Sequence, residues 1–181
     1  AIKFINELTK QSKLKFKFDR YSSKNFKNNN TSRNIVLGID LGTTNTLASV
    51  VENGKAISIP QKNGERILPS VVCVNKKKKF DVGLIASNQK VLNPKDTFFS
   101  VKRFIGRRSE EMKAYVKDYP FKVDLDEEKV KIYSPKLKKK LECEEITAQI
   151  LLKAKREAES YLKNEIKKCV ITVPAYFDIN Q

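Results

Sequence analysis

The stretch Ile35–Ile59, IVLGIDLGTTNTLASVVENGKAISI, decides the fold predicted for this chain of 181 residues. An apolar, β-branched run covers 35–40 and ends on the carboxylate of Asp40. A short polar turn follows, a second apolar run covers 46–52, and the dipeptide Asn53-Gly54 precedes a third run. Because Asn-Gly favours the positive φ values that a tight hairpin turn needs, the pattern predicts a meander of three strands.

The turn between the first two strands carries the residues with the clearest chemistry. Gly42 can take backbone angles closed to other residues and leaves room for a ligand. The amides of Gly42, Thr43, Thr44 and Asn45 could line one anion-binding concavity, and the threonine hydroxyls add donors. Asp40 offers hard oxygen ligands that suit Mg²⁺, directly or through water. Since a carboxylate beside an anion needs a cation between them, the turn predicts a metal–nucleotide site; the alternative is an ordinary hairpin with a threonine-rich tip.

Composition restricts the classes of function. Hydrophobic residues make up 40% and charged residues 32% of the chain, and no apolar run approaches the ~20 residues of a membrane helix. The net charge of +16 raises a basic nucleic-acid-binding module as an alternative, but aromatic residues do not interleave with the lysine runs. The chain has no histidine, which excludes Ser-His-Asp and Cys-His catalysis within it. Its cysteines, at 73, 143 and 169, form no CxxC and predict no zinc site.

The first 33 residues differ from the rest of the chain. They hold nine Lys or Arg and two Asp or Glu, and they lack the 7–15-residue apolar core of a secretory signal. This composition is similar to that of an organelle transit segment. A disordered basic extension without an addressing function is the alternative.

Several later segments have recognisable periodicity. Thr97–Ile105 has apolar residues at a helical spacing with Gly106 as a stop, and Ser109 is predicted to cap a further helix. Phe121–Leu141 is typical of short strands with charged turns. Ile146–Leu162 is the clearest amphipathic helix, and Lys168–Val173 has the composition of a buried strand, which Pro174 terminates.

Four motifs together resemble one known family. GIDLGTTN (38–45) is similar to the first phosphate loop of the actin-like ATPase superfamily, which includes sugar kinases, actin and DnaK-type heat-shock chaperones. LPSVV (68–72), FSVKRFIGRR (99–108) and VITVPAYF (170–177) resemble the DnaK-type chaperones in order and spacing. The resemblance covers about 35–181, and Asn45 with FSVKRFIGRR favours the bacterial and plastid branch.

The resemblance implies a fold and a division of the chain. The expected class is α/β: a ribonuclease-H-like lobe with a mixed sheet, flanking helices and a smaller inserted α/β subdomain. Residues 34–69 and 147–181 would form the first and second parts of the base subdomain, and 70–146 the smaller upper subdomain. Pattern alone predicts only a mixed α/β chain.

The resemblance also implies roles for particular residues. Lys102 would lie beside the γ-phosphate, where its charge offsets negative charge that develops during hydrolysis; a surface lysine is the alternative. Arg103 could be structural. Pro174 resembles the switch between nucleotide states, although a strand-ending proline is also a routine stop. ATP or ADP and Mg²⁺ are the implied cofactors, with Gly42–Asn45 on the phosphates and Asp40 on the metal.

The expected function is that of an N-terminal part of the ATPase domain of an organellar chaperone. Unfolded polypeptides, a J-domain co-chaperone and a nucleotide-exchange factor are the partners that the resemblance implies, with no nucleic acid and no membrane span. The expected location is a plastid, with a mitochondrion as the alternative. A sugar-kinase-like relative is the competing hypothesis. The second carboxylate loop and the catalytic glutamate segment of the family do not occur in these residues, so we expect the 181-residue chain to be inactive alone.

Overall fold

The computed structural model describes residues 35–126, 129–173 and 177. Predictions that fall on 1–33 and on Pro174 lie outside the described residues. The strands are β1 (Val36–Leu41), β2 (Asn45–Glu52), β3 (Lys55–Ser58), β4 (Ile67–Pro69), β5 (Val71–Val74), β6 (Phe80–Val82), β7 (Thr97–Phe99), β8 (Lys122–Asp124), β9 (Lys131–Ser134), β10 (Lys139–Glu142) and β11 (Lys168–Thr172). The α-helices are α1 (Leu84–Ser87), α2 (Ser109–Met112) and α3 (Cys143–Leu162), and 3-10 turns occur at Pro94–Asp96, Val101–Phe104 and Val116–Asp118.

The largest sheet contains the predicted meander. Strands β1, β2 and β3 are antiparallel neighbours, and β11 lies parallel to β1 on its other side. The turn between β2 and β3 has positive φ at both Asn53 (49°) and Gly54 (76°), which confirms the predicted hairpin. Strand β4 pairs with the beginning of β2, which β3 does not cover. This arrangement places the β1–β2 turn and the end of β11 at one edge of the sheet.

Two smaller antiparallel sheets are formed by residues between β4 and α3. One has the order β6-β5-β7 and the other the order β10-β9-β8, which confirms the predicted short strands within 121–141. The architecture is therefore mixed α/β. The division into base and upper subdomains stays a prediction.

Helix α3 packs its apolar side against the largest sheet. Its buried side chains include Ile146, Ile150, Ala154 and Ala158, which recur every three or four residues and join Leu37 of β1 in one core. Glu144 and Glu145 occupy its first turn, where the positive helix N-terminus favours acidic residues, and Lys163 after its end takes a left-handed conformation with φ 51°. Among the described residues no helix has the length and apolar character that crossing a bilayer requires.

The predicted helix at Thr97–Ile105 is wrong. Its first three residues are strand β7, Ser100 takes a left-handed conformation with φ 56°, and Val101–Phe104 is a single 3-10 turn. Val101 and Phe104 are buried, and residues three apart eclipse one another in a 3-10 turn. The spacing of apolar residues that indicated an α-helix is therefore explained by the 3-10 turn.

Three further expectations need correction. Ser109 was predicted to cap a helix that extends to about Lys117, but Arg108 holds the N-cap position and helix α2 covers only Ser109–Met112. Strand β4 lies within Pro60–Pro69, a segment whose central Asn63-Gly64 predicts a loop. Strand β11 forms as predicted but is not buried: among the described residues it is an edge strand of the sheet, and its exposed and half-buried residues alternate.

Candidate functional site

The carboxylate of Asp40 lies where two parallel strands end. Asp40 in β1 pairs in register with Thr172 in β11, so both side chains emerge at the carboxyl edge of the sheet. The Thr172 hydroxyl donates a hydrogen bond of 2.7 Å to Oδ1 of Asp40, and Asp40 is exposed. The carboxylate is therefore oriented by its neighbour while its remaining lone pairs face solvent.

The turn after β1 is closely packed against itself. A Cβ atom at Gly42 would lie 2.1 Å from the carbonyl oxygen of Asn45, a distance that no side chain can tolerate. Glycine is therefore required here by the close approach of the backbone to itself. Thr43 is half-buried, whereas Thr44 and Asn45 are exposed and accessible to a ligand.

Ser70, between β4 and β5, makes two hydrogen bonds to this turn and a third to Thr46 of β2. Its backbone N–H donates to the Thr44 carbonyl oxygen (2.8 Å), its Oγ donates to the Gly42 carbonyl oxygen (2.9 Å), and its Oγ lies 2.9 Å from Oγ1 of Thr46. Ser70 and Thr46 are both buried. Ser70 was not predicted to be a site residue; its position within LPSVV was the only signal for it in the sequence.

Lys102 reaches the same edge of the sheet from the 3-10 turn. Its Nζ donates a hydrogen bond to the carbonyl oxygen of Leu41, the last residue of β1, and lies 5.5 Å from the ring centroid of Phe177. Burial lowers the pKa of Lys102, and the attraction of Asp40 offsets part of that shift. An anion bound nearby would therefore favour the charged ammonium. Arg103, next to it, is exposed.

The structure thus brings together most of the residues singled out in the sequence. Asp40, the turn 42–45 and Lys102 converge at the end of β1. The part of the chain that the structure describes holds no cluster of three or more His, Cys, Asp or Glu side chains that could enclose a metal. One exposed, oriented carboxylate fits Mg²⁺, which usually keeps several waters and binds substrate phosphates as further ligands.

Comparison with known proteins addresses the resemblance directly. Residues 36–181 match the family model described as Hsp70 protein. The chain belongs to the Hsp70 family. Its sequence is 48% identical to a chaperone protein dnaK of Gracilaria tenuistipitata var. liui over 147 residues, which are 81% of this chain and 24% of that protein.

Two plant Hsp70 relatives match over a longer stretch. The stromal 70 kDa heat shock-related protein, chloroplastic, of Pisum sativum is 44% identical over 168 residues, covering 91% of this chain and 24% of the relative. The heat shock 70 kDa protein 7, chloroplastic, of Arabidopsis thaliana is 44% identical over 166 residues, covering 86% and 23%. The chain spans about a quarter of the length of the curated relatives it matches. These matches confirm the DnaK-type resemblance and give no support to a sugar-kinase-like relative.

Proposed function

We propose that this chain forms part of the nucleotide-binding domain of an ATP-dependent chaperone, a longer protein that binds and refolds unfolded polypeptides. The observation that carries the proposal is the convergence of Asp40, the turn 42–45 and the Lys102 ammonium at the end of β1. Membership of the Hsp70 family supports it.

Each group has a distinct role in phosphoryl transfer to water. The backbone amides of Gly42–Asn45 would bind phosphate oxygens, and the Thr43 and Thr44 hydroxyls would add donors. Asp40, oriented by Thr172, would hold Mg²⁺ through water, and the bound metal would supply neutralisation of phosphate charge. Lys102 would place its ammonium beside the γ-phosphate, where it orients the attacking water and offsets the charge that develops.

The finer structural assignments belong to the same proposal. The meander β1–β3 with β11 parallel to β1 supports a ribonuclease-H-like base, with 70–146 as the smaller subdomain. Pro174 would act as the switch between nucleotide states. A J-domain co-chaperone and a nucleotide-exchange factor would be partners of the longer protein.

We also propose a plastid location, which the chloroplastic relatives in Pisum sativum and Arabidopsis thaliana support. Residues 1–33 would direct the protein there. A fusion of residues 1–33 to a fluorescent protein should enter plastids; a mitochondrial or diffuse signal would contradict the proposed location.

The functional test uses the longer protein. It should release phosphate from ATP in a Mg²⁺-dependent reaction and protect an unfolded polypeptide from aggregation. Asp40→Asn should abolish phosphate release at physiological Mg²⁺, whereas the control Asp126→Asn, at an exposed turn residue, should not. Phosphate transfer to a small polyol, or hydrolysis unchanged by Asp40→Asn, would contradict the proposed function.

A further inference from the structure

Ser70 controls which way the peptide groups of the β1–β2 turn can face. Its N–H and its Oγ each hold one carbonyl oxygen of the turn, those of Thr44 and Gly42. A trans peptide group is planar, so its N–H points opposite to its C=O. Fixing the Gly42 and Thr44 carbonyls on Ser70 therefore directs the N–H groups of Thr43 and Asn45 away from Ser70.

The other site residues lie on the side of the turn that faces away from Ser70. Ser70 follows β4, which pairs with β2, whereas Asp40 belongs to β1 on the opposite side of β2. Lys102 is bonded to Leu41 on that same strand. The two directed N–H groups thus face the side from which a phosphate would approach Asp40 and Lys102.

A second hydroxyl fixes the orientation of the first. The single proton of the Ser70 hydroxyl is used on the Gly42 carbonyl, so Thr46 must donate to Ser70 Oγ. Both hydroxyls are buried, Ser70 being 4% and Thr46 1% exposed. Water cannot replace either bond without entering the packed interior, and loss of one hydroxyl leaves its partner unsatisfied.

We propose that Ser70, with Thr46 behind it, is a positioning residue that orients the Thr43 and Asn45 amides toward the phosphates of a bound nucleotide. This inference rests on the nucleotide-binding function proposed above. It predicts that these hydroxyls contribute to affinity for the phosphate groups specifically, although neither of them touches the nucleotide.

The test compares ligands with and without phosphates in the longer protein. Ser70→Ala should weaken ATP binding by about 5- to 30-fold, the effect of one or two lost hydrogen bonds, and leave adenosine binding within about twofold. Ser134→Ala is the matched control, because Ser134 is a fully buried serine in β9, a strand of another sheet, and its Oγ donates to Asp96. It should change neither affinity.

A pair of variants at Thr46 separates the hydroxyl from the shape of the side chain. Thr46→Val keeps the volume and removes the donor, so it should weaken ATP binding in the same selective way. Thr46→Ser keeps the donor and should retain ATP affinity. This pair decides the question if Ser70→Ala does not fold.

Two results would overturn the inference while leaving the proposed function intact. One is an equal loss of ATP and adenosine affinity in Ser70→Ala or Thr46→Val. The other is ATP affinity in these variants indistinguishable from that of Ser134→Ala. Failure of the wild-type longer protein to bind ATP would overturn the proposed function itself, and this inference with it.

Discussion

At the scale of single residues, Gly42 has the strictest structural requirement. A Cβ there would meet a backbone atom, the Asn45 carbonyl oxygen at 2.1 Å, so the turn itself would have to move. We expect Gly42→Ala to lower the affinity of the longer protein for ATP by about tenfold or more, because the turn amides would no longer converge.

The matched control for this variant is Gly64→Ala. Gly64 has a φ of 84° and open space around its Cβ position, so alanine there strains the backbone by about 1–2 kcal/mol without touching the site. Isothermal titration with ATP would distinguish the two variants. Equal ATP affinity in Gly42→Ala and wild type would show that the turn does not bind the phosphates.

The buried thiol of Cys143 gives stability a dependence on pH. Burial raises its pKa, with smaller contributions from Glu144 and Glu142, above the usual 9.0 that it regains on unfolding. Its contribution is therefore complete below pH 9 and falls as pH rises above 9, by up to about 1.4 kcal/mol per pH unit. Burial also raises the pKa of Cys73 and Cys169, which acts in the same direction.

Urea unfolding of the chain between pH 8 and 11 would measure this effect. Lys102 acts in the opposite direction. Burial lowers its pKa, so the folded state disfavours the charged ammonium, and this cost disappears as the ammonium loses its proton at higher pH. The urea concentration at the wild-type unfolding midpoint should still decrease as pH rises above 9, and the decrease should be smaller in Cys143→Ala. An identical pH slope in that variant would refute the assigned cause.

At the scale of elements, periodicity predicted the parts of the fold whose cause is local. The Asn53-Gly54 hairpin and helix α3 follow from backbone preference and from one apolar face, and both were confirmed. The strand and turn around Asp40 and Gly42 indicated those two residues for the same reason, whereas only the resemblance to the DnaK-type chaperones indicated Lys102. Lys102 joins Asp40 and Gly42 through its bond to Leu41, 61 residues earlier, and Thr172 reaches Asp40 because β11 pairs with β1 across more than 130 residues; no local pattern encodes either contact.

The errors arose where tertiary packing overrides local pattern. The segment 97–105 changes from strand to 3-10 geometry because Phe98, Val101 and Phe104 all enter the core. Strand β4 is only three residues long and forms because β2 offers a free edge beyond β3. Ser70 could not be recognised in advance because its role depends on hydrogen bonds to residues 24 to 28 positions earlier.

One contact joins α3 to the loop between β3 and β4. The buried carboxylate of Glu157 accepts a hydrogen bond from the backbone N–H of Lys62 (2.9 Å) and pairs with Lys153 at 2.7 Å. Glu157→Ala leaves the Lys62 N–H without its partner, so we expect a loss of about 1–3 kcal/mol in the free energy of unfolding.

Urea unfolding would measure that loss against Glu165→Ala. Glu165 pairs with Lys167 on the surface, with both side chains more than half exposed, and such pairs contribute at most about 1 kcal/mol. Equal stability of the two variants would show that Glu157 does not anchor the loop to the helix.

At the scale of the whole molecule, the described site covers one side of a ligand. Asp40 supplies a single carboxylate, and the turn 42–45 would leave the opposite side of a triphosphate in water. Charge stabilisation then stays near its weak aqueous value. We therefore expect the 181-residue chain alone to show no steady Mg²⁺-dependent phosphate release, with Asp40→Asn and Lys102→Ala as controls for contaminating activity.

The exposed edge of the large sheet should also make the isolated chain associate. Val170 and Val173 are 50% and 63% exposed on and beside the edge strand β11, and unpaired strand edges pair readily with other chains. Light scattering should show concentration-dependent association. Steady turnover by a monomeric chain, abolished by both control variants, would show that the catalytic site is more self-contained than proposed.

The central claim is that Lys102 acts on the transferring phosphoryl group. Single-turnover hydrolysis by the longer protein tests it most directly, measured together with ATP affinity for wild type, Lys102→Ala and the exposed neighbour Arg103→Ala. Lys102→Ala should bind ATP within about threefold of wild type and hydrolyse it about 10²-fold more slowly, whereas Arg103→Ala should hydrolyse it normally. A near-normal hydrolysis rate in Lys102→Ala would contradict the account.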